Sequence, residues 1–233
     1  MNNKYVDFIS DEKFLECIKW VCDSYPKIKT DKVDIKELQR NSVDPFKMLF
    51  DVCNTNIDFD IWIENEKIRQ NDKTVNNKIG EFHQKVLGFV EGWEDLHSGH
   101  PSQVDLKNDS NTIFIELKNK HNTMNSSSTD SCRNKLEKIV KKYPNSKAYW
   151  AFIVSKNGSS GEETWNYQGR NNKKIRKVWG KNVYSLVTGK EDSLIQVWKA
   201  IPIAIKDLIK EENLISKETE QNLLKFFEIA FQQ

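Results

Sequence analysis

Apolar residues recur at helical spacing in several stretches of the chain. In residues 10–24, Phe14, Ile18, Val21 and Cys22 form one stripe, and Ser10 stands where an N-cap would. The pattern is helical again over 34–54. Pro45 is expected to divide that stretch, because proline lacks the amide an interior helical position needs. The spacing from Ile57 to Arg69 fits a helix or an alternating strand, and the helix is preferred. Residues 74–91 carry a clear amphipathic stripe of Val75, Ile79, Phe82, Val86 and Phe89. Ser126–Tyr143 patterns as a helix with Leu136, Ile139 and Val140 inward. The Ser and Thr residues of NSSSTDS are expected to cap it, and Pro144 to close it. Residues 191–210 and 217–232 pattern as two closing helices, the first kinked at Pro202.

Four stretches pattern as strands. Gln103–Asn108 and Asn111–Asn119 alternate and are joined by a short polar turn. Ala148–Val154 is almost continuously apolar, as expected of a sheet interior, and Asn182–Val187 is a further strand. Gly158–Gly180 is expected to be irregular, basic and Asn-rich. Helices, a hairpin, another helix and more strands imply an α/β fold, with a central mixed β-sheet flanked by helices. An N-terminal helical region over 1–72 is expected to pack on an α/β core over 73–233, the whole forming one compact domain.

Composition narrows the class. Charged residues make up 30% of the 233 positions, but aromatics reach 11%, enough large apolar side chains for a folded core. Net charge is only +2, so the distribution of charge says more than its sum. From Thr164 to Lys190 there is no acid, while Arg170, Lys173, Lys174, Arg176, Lys177, Lys181 and Lys190 all fall there. That segment suits either a polyanion site or a solvated basic loop. Cys17, Cys22, Cys53 and Cys132 form no CxxC pair and fit neither a zinc site nor a disulfide framework. The N-terminus lacks a signal-peptide pattern and no stretch approaches the length of a membrane span, so a cytoplasmic protein is expected, with no membrane partner.

The stretch PSQVDLKNDSNTIFIELKNK, residues 101–120, carries the chemistry. With Asp109 and Ser110 as the two central turn residues, Leu106 faces Ile113, Asp105 faces Phe114 and Val104 faces Ile115. Val104, Leu106, Ile113, Ile115 and Leu117 then share one apolar face, and Asp105, Glu116 and Lys118 share the other. A one-residue slip would put Asp105 among the isoleucines, so the apolar pattern selects the register that gathers the charges. Two carboxylates so placed can hold Mg²⁺, which lowers the pKa of a bound water and neutralises a phosphate oxygen. A lysine beside them can orient that water or stabilise the transition state. Without a metal the two carboxylates are expected to repel and destabilise the site. The bland alternative is an exposed hairpin face with ordinary charges.

These residues resemble the PD-(D/E)XK nuclease superfamily. The second half of the motif, Glu116-Leu117-Lys118, is intact. The first half departs from it, since Val104 and not proline precedes Asp105, with Pro101 nearby. The runs Gly80–Gln84, Val104-Asp105 and Ile115–Asn125 further resemble type II restriction endonucleases that cut GGNCC and GGWCC sites. The resemblance covers about one-fifth of the chain, roughly residues 79–127. It implies a restriction-endonuclease-like core in a prokaryotic cell. It also implies a homodimer that cuts both strands of a short palindrome in double-stranded DNA with Mg²⁺, leaving 5′-phosphates. A separate cognate DNA methyltransferase is then expected. Asp105 and Glu116 would be metal ligands and Lys118 the catalytic lysine. The resemblance would also place Glu81 near the metals; otherwise Glu81 is a surface helix residue.

DNA contacts need phosphate binders and base-edge readers. Asn119, Lys120, His121 and Asn122 directly follow the motif. Asn125 and Ser126 open a helix whose backbone amides could face phosphate. The basic segment near 156–181 is the expected recognition loop, with Gln168, Arg170, Asn171, Asn172, Lys173, Lys174 and Arg176, and with Trp165, Tyr167 and Trp179 interleaved. His97 and His100 could suggest a metal pair but lack a third ligand. Two other functions remain open on these residues: a repair or junction-resolving nuclease of the same fold, and a non-catalytic DNA-binding module.

Overall fold

The computed structural model describes residues 3–25, 43–96, 104–210 and 215–232. Six strands run as β1 (Trp93–Asp95), β2 (Leu106–Asn108), β3 (Ile113–Lys120), β4 (Lys147–Val154), β5 (Gly161–Thr164) and β6 (Ile175–Trp179). They form one mixed sheet in the order β1-β2-β3-β4-β6-β5. β3, β4 and β6 are parallel neighbours, and the outer pairings are antiparallel. Seven helices are present among the described residues: α1 (Asp11–Cys22), α2 (Pro45–Thr55), α3 (Phe59–Gly88), α4 (Ser126–Lys142), α5 (Lys181–Thr188), α6 (Ser193–Ile209) and α7 (Lys217–Phe231). The expected α/β class with a central mixed sheet is what the chain adopts.

The chain divides into two units. One comprises residues 20–79 and the other 1–19 with 80–233. In the smaller unit, Trp62 and Ile63 are buried against Val43, Met48, Val52 and Ile57. Asp44 caps α2 by accepting from the amides of Phe46 and Lys47, with Pro45 in the first turn where its missing amide costs nothing. The ambiguous 57–69 stretch and the 74–91 stripe prove to be one helix, α3.

In the larger unit, parallel β3 and β4 need a crossover, and α4 supplies it. α4 lays Cys132, Leu136, Ile139 and Val140 against Phe114, Ala148 and Ile175 of the sheet. The alternate residues Ile115, Leu117, Tyr149, Ala151 and Ile153 are buried on the opposite face. His83 of α3 and Tyr184 of α5 are joined there, Nδ1 to hydroxyl at 2.8 Å.

The structure corrects four expectations and adds one strand. The strand expected at 182–187 is helix α5. Val183, Tyr184 and Val187 bury one helical face, and Gly180 and Gly189, both in the left-handed region, bracket it. Gly158–Gly180 is not irregular, because it contains β5 and β6. Cross-strand pairs stand there in place of an apolar alternation: Glu163 with Lys177 at 3.3 Å, and Glu162 with Arg176. The cap of α4 is Asn125, whose side chain accepts from the Ser128 amide, and not a Ser or Thr of the run. β1 had no expectation at all. The hairpin is also registered two residues away from the expected pairing, with Leu106 facing Ile115 and Lys107 facing Phe114. Asn108 explains this: its Oδ1 accepts from the amides of both Thr112 and Ile113 at 2.9 Å, and Asn111 takes a left-handed φ of 54°. The turn is therefore longer than two residues. A shift of two leaves every β3 side chain on its expected face.

Candidate active site

β3 delivers Glu116 and Lys118 to the α4 side of the sheet by strand alternation. Asp105 arrives differently. β2 begins only at Leu106, and Asp105 is a bend. Its amide still donates to Ile115 O at 3.0 Å, although Ile115 is the partner of Leu106. Two residues thus oppose one, in the manner of a β-bulge, a device that re-aims side chains near functional sites. The Asp105 carboxylate then accepts the Leu117 amide at 2.6 Å.

The result is a compact charged cluster. Lys118 Nζ lies 2.7 Å from Glu116 Oε1 and 3.7 Å from Asp105 Oδ2. A fourth member comes from α4: Lys135 Nζ lies 2.6 Å from Glu116 Oε2. Glu116 is only 6% exposed. Burial, then repulsion from Glu116, pushes the Asp105 carboxyl above its ordinary range, against the pull of Lys118 and the Leu117 amide. Burial works to lower the Lys118 ammonium, but the charges of Asp105 and Glu116 outweigh it and the net direction is upward. Burial, then the Glu116 charge, pushes the Cys132 thiol up to about 12, so it is no nucleophile at neutral pH. Two lysines stand against the two carboxylates and offset part of the repulsion expected of a metal-free site, yet burial and Glu116 still disfavour the ionised form of Asp105.

A cavity of about 320 Å³ opens beside the cluster, lined by Glu116, Lys118, Thr123, Ser127, Ser131 and Lys135 among others. Lys135 is a residue that the hairpin motif missed. Its signal was available, since it is one helical turn from inward-facing Cys132 and Leu136 is its neighbour, but a lone lysine on a helix has many innocent explanations.

The other expected site residues are placed as follows. Glu81 is exposed on α3, next to Gly80, whose Cβ direction meets Asn119 Cβ at 3.8 Å. By alternation Asn119 lies on the sheet face opposite Glu116. Lys120 and Asn122 are exposed. His121 donates its amide to Val154 O at 3.0 Å, and its Nδ1 is buried with no hydrogen-bond partner. Asn125 is occupied as the α4 cap, and Ser126 is exposed in the first turn. His97, His100, Pro101 and Gln103 lie outside the described residues. Among the described residues, no three His, Cys, Asp or Glu side chains are grouped closely enough to hold a metal between them.

Within the expected recognition segment, Tyr167 to Arg170 form a tight turn with Gln168 and Gly169 both at positive φ. Gln168, Asn171 and Lys173 are exposed. Arg170 folds back onto α4, reaching Asn134 Oδ1 at 2.7 Å and Asp130 Oδ1 at 3.2 Å. Fully buried Arg133 anchors the turn by donating to the carbonyls of Trp165 and Arg170 and to Glu137. Asn172 Oδ1 accepts the Lys174 amide, Lys174 Nζ reaches Pro144 O, and Arg176 pairs with Glu162.

Comparison with known proteins adds a separate line. The model of the Eco47II restriction endonuclease family matches residues 6–210. The chain is 34% identical over 220 residues to the type II restriction enzyme Sau96I of Staphylococcus aureus, covering 90% of this chain and 83% of that one. It is 30% identical over 240 residues to the type II restriction enzyme Eco47II of Escherichia coli, covering 97% and 98%.

Proposed function

The chain belongs to the Eco47II restriction endonuclease family and is a site-specific deoxyribonuclease of type II, and from that premise we propose how its site works. The substrate is double-stranded DNA carrying a short palindrome of the GGNCC kind. The reaction is Mg²⁺-dependent hydrolysis of one phosphodiester in each strand, leaving 5′-phosphates. Asp105 and Glu116 are the metal ligands and Lys118 is the catalytic lysine. The observation that carries this reading is the gathering of those three side chains by the bend at Asp105.

The donor set fits the ion. Two carboxylates with oxygens turned to one cluster leave most of an octahedral shell to water and phosphate, which is how Mg²⁺ is usually held in proteins. When bound, the ion supplies a water of lowered pKa and positive charge against a phosphate oxygen. The chain's own residues do the rest. The Leu117 amide fixes the Asp105 carboxylate. Lys118, held between the two carboxylates, donates to the phosphate oxygen on which charge develops. The cavity lined by Thr123, Ser127 and Ser131 receives the phosphate.

Exposed Gln168, Asn171 and Lys173 at the anchored turn are the favoured DNA contacts of the 156–181 segment, with Lys120, Asn122 and Ser126 nearer the cluster in sequence. Arg170, Asn172, Lys174 and Arg176 already have partners within the protein and would have to leave them to reach DNA. Glu81 is assigned no metal contact; Glu81→Gln should cut DNA as the parent does. Cutting a palindrome in both strands calls for two copies of the site, hence a homodimer, and a cell carrying it needs a methyltransferase to protect its own DNA.

Digestion of plasmid DNA in Mg²⁺ tests the reading. Discrete fragments, whose sequenced ends share one palindrome and carry 5′-phosphates, are expected. A smear, or ends without a common sequence, would overturn it.

A further inference from the structure

The hairpin motif supplies one lysine; the fold supplies a second. Both oxygens of the Glu116 carboxylate are taken by ammonium groups, Oε1 by Lys118 at 2.7 Å and Oε2 by Lys135 at 2.6 Å. Lys135 projects from α4, its side chain is 21% exposed, and it lines the cavity beside the cluster. With Asp105, the four side chains carry two negative and two positive formal charges. A divalent cation approaching Glu116 Oε2 must compete with the Lys135 ammonium already on that oxygen.

We propose that Lys135 is a positioning residue that occupies Glu116 Oε2 in the free enzyme and turns to a DNA phosphate in the cavity once a divalent cation takes that oxygen. The inference rests on the reading of Asp105 and Glu116 as metal ligands. Charge favours the exchange. A phosphodiester attacked by hydroxide passes through a doubly negative transition state. A divalent ion brings the otherwise neutral cluster to +2, matching that charge; without Lys135 it reaches only +1. The exchange also avoids a bare carboxylate pair, since Lys135 leaves only as the cation arrives.

Two consequences follow, and they run in opposite directions. Lys135 competes with the metal for Glu116, so its removal tightens metal binding to the protein without DNA. Lys135 also stabilises the phosphate, so its removal slows cleavage. A lysine that merely holds α4 to β3 would not produce the first.

The test is Mn²⁺ binding to the full chain in the absence of DNA, read from the free Mn²⁺ spin-resonance signal. Lys135→Met and Lys135→Gln should each bind Mn²⁺ about fivefold or more tightly than the parent, and Lys135→Arg should bind as the parent does. At saturating Mn²⁺, the single-turnover cleavage of a plasmid the parent cuts should be about tenfold or more slower in Lys135→Met, with activity restored in part by Lys135→Arg. Unchanged or weaker Mn²⁺ binding in the folded Met and Gln variants overturns the inference. Glu116→Gln separates the two layers: it should lose Mn²⁺ binding. If it binds as the parent does, the metal-ligand reading fails and the inference falls with it.

Discussion

The amide of Leu117 donates to the carboxylate of Asp105 at 2.6 Å. Leu117 is the residue between Glu116 and Lys118, so the strand that presents two members of the cluster also holds the third. Asp105 sits in a bend just before β2 begins, and its carboxylate oxygen is the acceptor for the Leu117 amide. The bond orients Asp105 without using up its second oxygen.

Asp105 is crowded, and the crowding has a measurable cost. Burial and the neighbouring Glu116 raise its folded-state pKa. For an acid with a raised folded pKa, the ionised form is disfavoured by folding, and stability falls as pH rises through that window. Asp105→Asn keeps an acceptor for the Leu117 amide and removes the charge. It should raise the melting temperature of the metal-free protein at pH 7 while abolishing cleavage. A clear loss of stability would contradict this.

His83 gives a pH dependence of the opposite sense. Burial lowers its pKa to about 4 from an ordinary value near 6.5. The unfolded chain takes up a proton near 6.5, and the folded chain only near 4. The stability contributed by neutral His83 is therefore complete above about pH 6.5 and is lost as pH falls toward 4. Urea melts from pH 7 to 4.5 should show a shallower decline in His83→Gln than in the parent.

Arg133 should behave as a structural anchor. Its removal strands the carbonyls of Trp165 and Arg170 in a buried place. Arg133→Met should cost on the order of 2–4 kcal/mol in unfolding free energy. Limited proteolysis should then cut first near the Tyr167–Arg170 turn. Equal protease resistance in parent and variant would show that the anchor is not needed.

Much of this was legible in the sequence, for identifiable reasons. The class of the fold followed from one continuous apolar run, Ala148–Val154, and from stripes such as that of α3. The faces of β3 were legible because Phe114, Glu116 and Lys118 alternate with three apolar residues, and alternation survives a register shift of two. The register itself was not legible, because it depends on the Asn108 side chain bonding two amides of its own turn. β5 and β6 were hidden because Glu162, Glu163, Arg176 and Lys177 are stabilised as cross-strand charge pairs, which read as loop polarity in one dimension. α5 patterns locally as a strand because Val183 and Val187 are β-branched, while their spacing of four and the flanking glycines favour the helix that forms. Lys135 stands at the edge of the inward face of α4, but a lone lysine there does not by itself mark a site; only the crossover of α4 brings it to Glu116.

Glu116 and Lys118 are the center of the account, and one measurement tests them most directly. Cleavage and DNA binding are measured side by side for Glu116→Gln and Lys118→Ala, on a duplex carrying the site the parent cuts. Both variants should lose about 100-fold or more in single-turnover cleavage with Mg²⁺ while binding the duplex within a few-fold of the parent. Retained cleavage in either variant would contradict the assignment of the active site.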